Sequence, residues 1–304
     1  MSQTDQQIKQ VSYTRRKPLI RLGLFDYIII TFLMLFGAAI FIPFYSGVIS
    51  SFVTPKEYIL NPAMVIPKRI VLDNYYVIFT NRMIFTGYKN TLILVVFGVT
   101  YSLLLTVCMG YAFSRKSFPG KKLFFSLVLF TMFFGGGLIP QYLLMRSLNL
   151  IGKLHGVILL GGVSVFYMII IKNSFEQIPE SLEESAKIDG ANDVVIFSRI
   201  MLPLQLPMLA TITLFFTVDR WNSWFAPMLY LNDNKLWPLQ VVLRSIVNNI
   251  RTLDTEAVSQ LGIELFPIGI KMAAIVVTML PIMMLYPFLQ RYFVKGILVG
   301  AIKM

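Results

Sequence analysis

The polar residues whose spacing most clearly suggests a role lie in one segment between two apolar blocks, Glu176–Arg199. Pro179 stops the preceding helix, Ser181 and Glu184 have the spacing of a capping box, and Gly190 offers a helix stop. Negative side chains at the positive end of the helix dipole favour the same start. The pattern predicts a short, sharply bounded helix whose chemistry would be contact with another protein.

A second short helix is predicted directly after the first. Asn192 or Asp193 can cap its start, and Pro203 follows it. Ala186 and the stretch Ile188–Gly190 leave one face of the first helix small and apolar enough for another protein to approach. The segment therefore predicts a helix–turn–helix, about residues 176–203, between two apolar blocks.

Residue patterns for nucleotide, metal or catalytic chemistry are missing from the sequence. The Gly-Lys pairs at 120–121 and 152–153 lack the spacing of a phosphate-binding loop. The one histidine, His155, has no metal-ligand spacing around it, and the one cysteine, Cys108, is expected to be a small buried residue in an apolar block. We therefore expect no catalytic residue, metal site or cofactor on this chain.

The composition places the remainder of the chain in a membrane. Of 304 residues, 56% are hydrophobic and only 14% are charged, and the apolar residues are grouped in long blocks. A bilayer core of about 30 Å needs roughly 20 apolar residues per helix. The sequence predicts an all-α, polytopic membrane protein of about six spans, at residues 22–47, 91–113, 123–144, 155–175, 202–224 and 265–288.

The net charge is +12, and the lysines and arginines that produce it lie mainly at the ends of apolar blocks. Loops on the cytoplasmic side of a membrane carry such residues. This placement favours contact with anionic lipid over nucleic acid. It predicts a cytoplasmic segment at residues 1–21, one membrane domain at 22–304, and both termini in the cytoplasm. The basic turn at 114–122 and the polar segment between spans four and five fall on that same side.

Glycines and aromatic residues mark two places where a path could form. Gly135–Gly137 and Pro140 interrupt span three, which indicates either a broken helix beside a cavity or close helix packing by small residues. Aromatic faces and amides are typical of sugar sites, but Trp221, Trp224, Tyr230 and Trp237 also fit an interfacial belt. The candidates for the substrate path are Tyr142, Tyr167, Trp221, Asn222 and Trp224.

The polar segment resembles the EAA loop of permease subunits of ATP-binding-cassette (ABC) importers. That loop has Glu, two small residues, a glycine, and a later Ile-x-Leu-Pro, and this chain has them at the family spacing. Residues 186–191 are similar to the carbohydrate-uptake branch related to the maltose permeases. Residues 221–227 and 286–303 also resemble that branch, especially its lipoprotein-linked polysaccharide subgroup. The matching coupling residues are Glu184, Ser185, Ala186, Asp189, Gly190, Ala191, Ile200, Leu202 and Pro203.

The resemblance implies a non-enzymatic permease subunit that forms half of the path for a sugar or oligosaccharide in a bacterial plasma membrane. It implies a second, non-identical permease subunit, although the sequence does not exclude a homodimer. It further implies two cytoplasmic ATPases, which hold ATP and Mg and bind the EAA loops, and an extracellular sugar-binding lipoprotein.

Two other classes remain open from the residues alone. An ion-coupled secondary transporter or channel usually carries ionisable residues within its spans. Here such residues lie toward span ends, and Asp219 and Arg220 would either pair with each other or face a cavity. A membrane enzyme would need a polar catalytic cluster, and the sequence shows none.

Overall fold

The computed structural model of the chain describes residues 23–62, 64–248 and 266–301, with side chains described as far as residue 284. Within these ranges the regular secondary structure is helical. The chain forms two compact units, divided between Gly47 and Val48. In the first unit, helix α1 (Leu24–Ser50) exposes apolar side chains from Leu24 to Phe44, which is typical of a helix that faces lipid.

The second unit contains the remaining helices. They are α2 (Pro55–Leu60), α3 (Asp73–Thr80), α4 (Arg82–Ser114), α5 (Lys121–Phe133), α6 (Leu138–Ser147), α7 (Leu154–Leu159), α8 (Val165–Glu176), α9 (Glu180–Ile188), α10 (Asp193–Leu204, with a π-helical stretch at Ile196–Met201), α11 (Leu206–Trp221), α12 (Phe225–Tyr230), α13 (Leu239–Asn248) and α14 (Pro267–Ala301).

Three described helices are long and apolar enough to cross a bilayer, namely α1, α4 and the first part of α14. Two further pairs reach that length only as bent units, α5 with α6 at 112° and α10 with α11 at 80°. The described residues therefore contain three to five candidate spans. The all-α, multi-pass architecture is confirmed, and the count of six stays a prediction.

The glycine triplet between α5 and α6 breaks the predicted third span. Gly137 has a φ of +85°, and a Cβ placed on Gly135 would meet nothing within 4 Å. Among the described residues, these glycines therefore do not serve close packing. They allow the sharp change of direction that the sequence left open as one of two interpretations.

The predicted fourth span is divided between α7 and α8 by residues 160–164. Gly161 has a φ of +74°, and Ser164 caps α8 by accepting a hydrogen bond from the Tyr167 amide at 3.4 Å. Gly162 serves close packing, because a Cβ there would lie 2.6 Å from the ring of Tyr101. Local backbone chemistry thus interrupts a stretch whose composition alone resembles a continuous span.

Helix α4 is the centre of the second unit. It packs against α7, α8, α11 and α13, while α14 packs against α3, α11 and α13. One buried cluster joins α3, α4, α13 and α14, and a second joins α4, α8, α9, α10 and α11. The second cluster includes Ala186 of α9, so the predicted coupling helix is continuous with the core of the membrane helices.

Three side chains differ in burial from their predicted roles. Trp221 and Tyr230 are only 4% and 1% exposed, so they are core residues and not members of an interfacial belt. Trp221 donates an indole hydrogen bond to the Thr278 carbonyl at 3.3 Å. Cys108, expected to be buried, is exposed on α4. Apolar composition does not reveal which side of a membrane helix faces its neighbours.

Candidate coupling surface and substrate path

Helix α9 begins at Glu180, and its start differs in detail from the prediction. Pro179 is the N-cap residue, so Ser181 lies inside the first turn and the predicted capping box is wrong. Proline carries no side-chain acceptor, and it fixes the backbone at the position where the helix begins. Glu180 and Glu183 lie in the first turn, as the helix dipole favours.

The end of α9 is a Schellman motif around Gly190. The Ala191 amide donates to the Ala186 carbonyl at 2.9 Å, and the Gly190 amide donates to the Lys187 carbonyl at 3.0 Å. Gly190 has a φ of +81°, a conformation that L side chains rarely adopt. Asn192 then caps α10 by accepting a hydrogen bond from the Val195 amide at 2.9 Å. The predicted stop and the predicted second helix are confirmed.

One face of α9 is held by ion pairs to the turn between α4 and α5. Arg115 pairs with Glu183, and the Arg115 guanidinium also lies 4.9 Å from the centroid of the Tyr111 ring. Lys116 pairs with Glu180 at 2.8 Å. The basic turn and the acidic segment therefore lie at the same end of the second unit, as the charge pattern predicted.

These pairs shift the protonation of the groups that form them. Burial alone would raise the pKa of Glu183, but hydrogen bonds and charge from Lys187 and Arg115 outweigh it and hold that pKa below its usual value. The hydrogen bond to Glu183 raises the pKa of Lys187, and the hydrogen bond to Glu180 raises that of Lys116. The shifts of Glu183, Lys187 and Lys116 all favour the charged form of each side chain.

The same face of α9 packs on aromatic residues of the core. Ala186 is buried in a cluster with Phe175 at the end of α8 and Ile196 of α10. The ring of Tyr111 lies 5.4 Å from that of Phe175 and 4.6 Å from that of Phe197. A small residue at position 186 lets the helix approach these rings closely, so α9 is fixed to α4, α8 and α10.

The opposite face of α9 and the start of α10 are exposed and partly apolar. Ile188 is 86% exposed and Val194 72%. Of the nine predicted coupling residues, one is buried, three are half-buried and five are exposed. Ala186 is the buried one. The half-buried residues are Ala191, Ile200 and Leu202, and the exposed residues are Glu184, Ser185, Asp189, Gly190 and Pro203.

A cleft of about 600 Å³ lies between α9 and the α4–α5 turn. Its walls are the charged residues that form the ion pairs, together with the main chain from Phe175 to Pro179. We infer that this cleft supports α9, because its lining charges other than Glu184 form ion pairs.

The bend between α10 and α11 is joined to the end of α8. Gln205 occupies the bend, and its side-chain amide donates to the Ser174 carbonyl at 2.9 Å while the Ser174 hydroxyl donates to the Gln205 side-chain oxygen. A displacement of α9 and α10 would therefore reach both α8 and α11. Sequence reasoning did not single out Gln205, since its partner lies 31 residues away.

The predicted path residues do not form one cluster. Tyr142 stacks on Tyr230 with ring centroids 6.0 Å apart, and Trp221 is buried. Trp224 is 36% exposed, with the Arg244 guanidinium 4.0 Å from its ring centroid. Asn222 is exposed, and Tyr167 pairs with Asp219 across α8 and α11.

Arg220 is a residue whose role the sequence left open. Its guanidinium donates to the main-chain oxygens of residues around the α7–α8 break at 3.2–3.4 Å, and to the Ser102 hydroxyl at 2.9 Å. The last carbonyls of a helix lack intrahelical donors, and Arg220 supplies them here. Gly98 leaves the space, because a Cβ there would lie 3.1 Å from Arg220 Nε. Arg220 and Asp219 therefore turn to different partners.

Comparison with known proteins gives extensive similarities. No protein-family model matches the sequence. The chain is 41% identical over 282 residues to the polygalacturonan/rhamnogalacturonan transport system permease protein YtcP of Bacillus subtilis, covering 92% of this chain and 98% of that protein. It is 39% identical over 279 residues to protein LplC of Bacillus subtilis, covering 92% and 95% of the two chains.

A solved structure shares the fold. It is a chain of a bacterial ABC transporter involved in the import of the acidic polysaccharide alginate, and it matches with a TM-score of 0.84 and 31% identity. The match covers 88% of this chain and 96% of that chain. The similarity therefore extends over most of both chains.

Proposed function

We propose that this chain, which belongs to the family of permease subunits of ABC importers for carbohydrates, receives the movement of cytoplasmic ATPases through α9. The chain is a helical, multi-pass membrane protein, and its relatives are transport permeases. The observation that carries the proposal is the two-sided character of α9. One face is fixed to the core by ion pairs and a buried alanine, and the other is exposed and partly apolar.

The exposed face suits docking of an ATPase. Ile188 and Val194 expose apolar side chains to solvent at the end of α9 and the start of α10. Exposed apolar residues beside small ones are typical of protein contacts. The ATPase would bind ATP and Mg, since this chain has no phosphate-binding loop in its sequence.

The fixed face suits transmission of a movement. Arg115 and Glu183 connect α9 to the end of α4, Phe175 connects it to α8, and Gln205 connects α8 to α11. A helix supported in this way moves as a rigid body, so closure of the ATPases would displace the membrane helices that border the path. The proposed result is a change between inward-facing and outward-facing states.

The remaining partners follow from family membership as proposals. A second permease subunit, non-identical to this one, would complete the path, and an extracellular sugar-binding lipoprotein would deliver the substrate. Because YtcP is named for polygalacturonan and rhamnogalacturonan, we propose an oligosaccharide or polysaccharide fragment as the substrate. Both termini and the α9 end of the molecule would then face the cytoplasm of a bacterial cell.

The docking proposal is tested by placing a charge on the exposed face. Ile188→Glu should lower both the amount of copurifying ATPase and ATP-driven uptake by about tenfold or more, because the charge would be buried in the contact. Ile66→Glu is the matched control, since Ile66 is 76% exposed and lies between α2 and α3. Full ATPase copurification and uptake in the Ile188→Glu complex would contradict docking on α9, and uptake without ATP would favour an ion-coupled transporter.

A further inference from the structure

A polar pair lies among the apolar helices α8 and α11. The Tyr167 hydroxyl donates to Oδ2 of Asp219 at 3.0 Å, and neither side chain is buried. Asp219 belongs to a helix whose other residues are mostly apolar, LPMLATITLFFTVDRW. The surroundings of Asp219 must therefore account for a charged side chain in this helix.

The aromatic ring of Tyr167 is fixed by two phenylalanines of α11. It is stacked against Phe215 with centroids 5.7 Å apart and an interplanar angle of 18°, and it meets Phe216 edge-on at 4.9 Å. These contacts hold the ring so that its hydroxyl reaches Asp219. The pair is therefore preorganised before any ligand is present.

Arg220, the neighbour of Asp219 in sequence, places a positive charge nearby but forms no ion pair with it. Arg220 turns toward Ser102 and the carbonyl groups at the α7–α8 break. Among the residues with described side chains, no lysine, arginine or histidine forms an ion pair with Asp219. The carboxylate thus has one hydrogen-bond donor on Oδ2, which leaves its capacity to accept further hydrogen bonds.

Lipid is a poor environment for this carboxylate. Asp219 lies in the last turn of α11, and charged side chains in membrane helices usually face a water-filled cavity or protein rather than lipid. Asn222, three residues later, lies on the same side of the helix end and is exposed. Two polar side chains therefore lie on the exposed side of the end of α11, and Tyr167 donates a hydrogen bond to the first of them.

We propose that Tyr167, Asp219 and Asn222 form a subsite for an uncharged, hydroxyl-bearing sugar unit. This inference rests on the proposed function, because it takes the exposed side of α8 and α11 as part of the path. Oδ1 of Asp219 accepts a hydrogen bond from one sugar hydroxyl, and the Tyr167 oxygen, which donates to Asp219, accepts one from a second hydroxyl. The Asn222 amide can donate to and accept from the next hydroxyl along.

The charge of the subsite defines what it excludes. A uronate carboxylate placed beside Asp219 would bring two negative charges within a few ångströms of each other, and like charges at that distance repel. The sugar unit bound at this position is therefore a neutral one, even where a transported chain also contains acidic units.

The test uses the complex purified from its native membrane through this chain and reconstituted in proteoliposomes. Maltotriose, xylotriose and arabinotriose serve as neutral probes, and trigalacturonate serves as the acidic probe. Asp219→Asn keeps the size of the side chain and an acceptor for Tyr167, but it removes the charge. We expect it to raise the half-saturating concentration of the neutral probe carried by the wild type by about tenfold, since hydrogen bonds to charged groups are the strong ones. The ratio of trigalacturonate to neutral uptake should rise at the same time.

Two controls separate a ligand contact from a structural bond. Asp233→Asn alters an exposed carboxylate that caps a short 3-10 helix, and it should leave the uptake of every probe unchanged. Tyr167→Phe should weaken the uptake of the neutral probe. Unlike Asp219→Asn, it should not raise the ratio of trigalacturonate to neutral uptake. If Asp219→Asn lowers the uptake of all probes equally, together with thermal stability, the pair only joins α8 to α11 and the inference is wrong.

Uptake by the wild-type complex distinguishes failure of the proposed subsite from failure of the proposed function. Uptake of trigalacturonate alone would overturn the subsite and leave the proposed function standing. No ATP-dependent uptake of any probe would contradict the proposed function. Neutral uptake whose half-saturating concentration stays within about twofold in Asp219→Asn would also overturn the subsite.

Discussion

Gly190 has a φ of +81°, and a Cβ placed on it would meet no atom within 4 Å. Its substitution therefore strains the backbone without creating a clash within the chain. A non-glycine residue in this conformation costs about 1–2 kcal/mol. The Schellman motif that ends α9 depends on this residue, and the exposed docking face lies directly before it.

Gly190→Ala should reduce ATP-driven uptake more than its loss of stability explains, because it changes the end of the helix that we propose contacts the ATPase. Gly152→Ala is the matched control, since Gly152 has a φ of +76° and also has open space around it. The measurement is uptake in proteoliposomes beside the thermal midpoint of each variant. Equal loss of uptake in the two variants would mean that Gly190 has no role beyond backbone stability.

Arg220 satisfies carbonyl groups at the break between α7 and α8, so its loss should destabilise the membrane helices. Arg220→Gln should lower stability by about 1–3 kcal/mol, since buried acceptors would be left without donors. Thermal unfolding in detergent measures this change, with the exposed Arg146→Gln as the control. A variant as stable as the wild type would show that water replaces the guanidinium without cost.

At the scale of the element, α9 is held by a charged face that responds to pH. The folded pKa of Glu183 lies below its usual value of 4.5. Its ion pairs therefore stabilise the folded helix fully above the unfolded pKa, and this stabilisation is lost as the pH falls through the folded pKa. The attachment of α9 should be constant near neutral pH and weaken only in acid.

Hydrogen exchange of the α9 amides, corrected for intrinsic rates, measures this attachment. Wild-type protection should be constant between about pH 6 and 8, where Glu183 stays ionised in both states, and Glu183→Gln should lower it throughout that range. Glu180→Gln is the control, because Glu180 is more exposed and its ion pair with Lys116 contributes less. Unchanged protection in Glu183→Gln would show that the buried Ala186 face alone holds α9.

Across the whole molecule, the sequence predicts helix ends that depend on neighbouring residues, but not contacts between residues far apart in the chain. Pro179, Gly190 and Asn192 delimit α9 and α10 because caps and stops depend on neighbouring residues. The sequence also predicts the paired charges of the basic turn and the acidic segment as lying on one side. The capping box was wrong because Pro179 itself occupies the cap position.

The unpredicted features depend on contacts between residues far apart in the chain. Trp221 and Tyr230 are of the aromatic types found in an interfacial belt. Only the packing of α11, α12 and α14 shows that they are buried. Arg220 reaches carbonyl groups about 60 residues earlier, and Gln205 reaches Ser174. The bends within the predicted spans likewise arise from backbone conformations that hydropathy does not report.

The proposed function depends on α9, through which the movement of the ATPases would be passed to the membrane helices. The most direct test replaces the single, exposed Cys108 by serine and introduces Ile188→Cys, because Ile188 is 86% exposed whereas Ala186 is buried. The measurement is the yield of crosslinking to the copurifying ATPase, with and without ATP. We expect a crosslink from Ile188→Cys whose yield changes with nucleotide, and no crosslink from Ile66→Cys. A copurifying ATPase that never crosslinks to position 188 would contradict this role of α9.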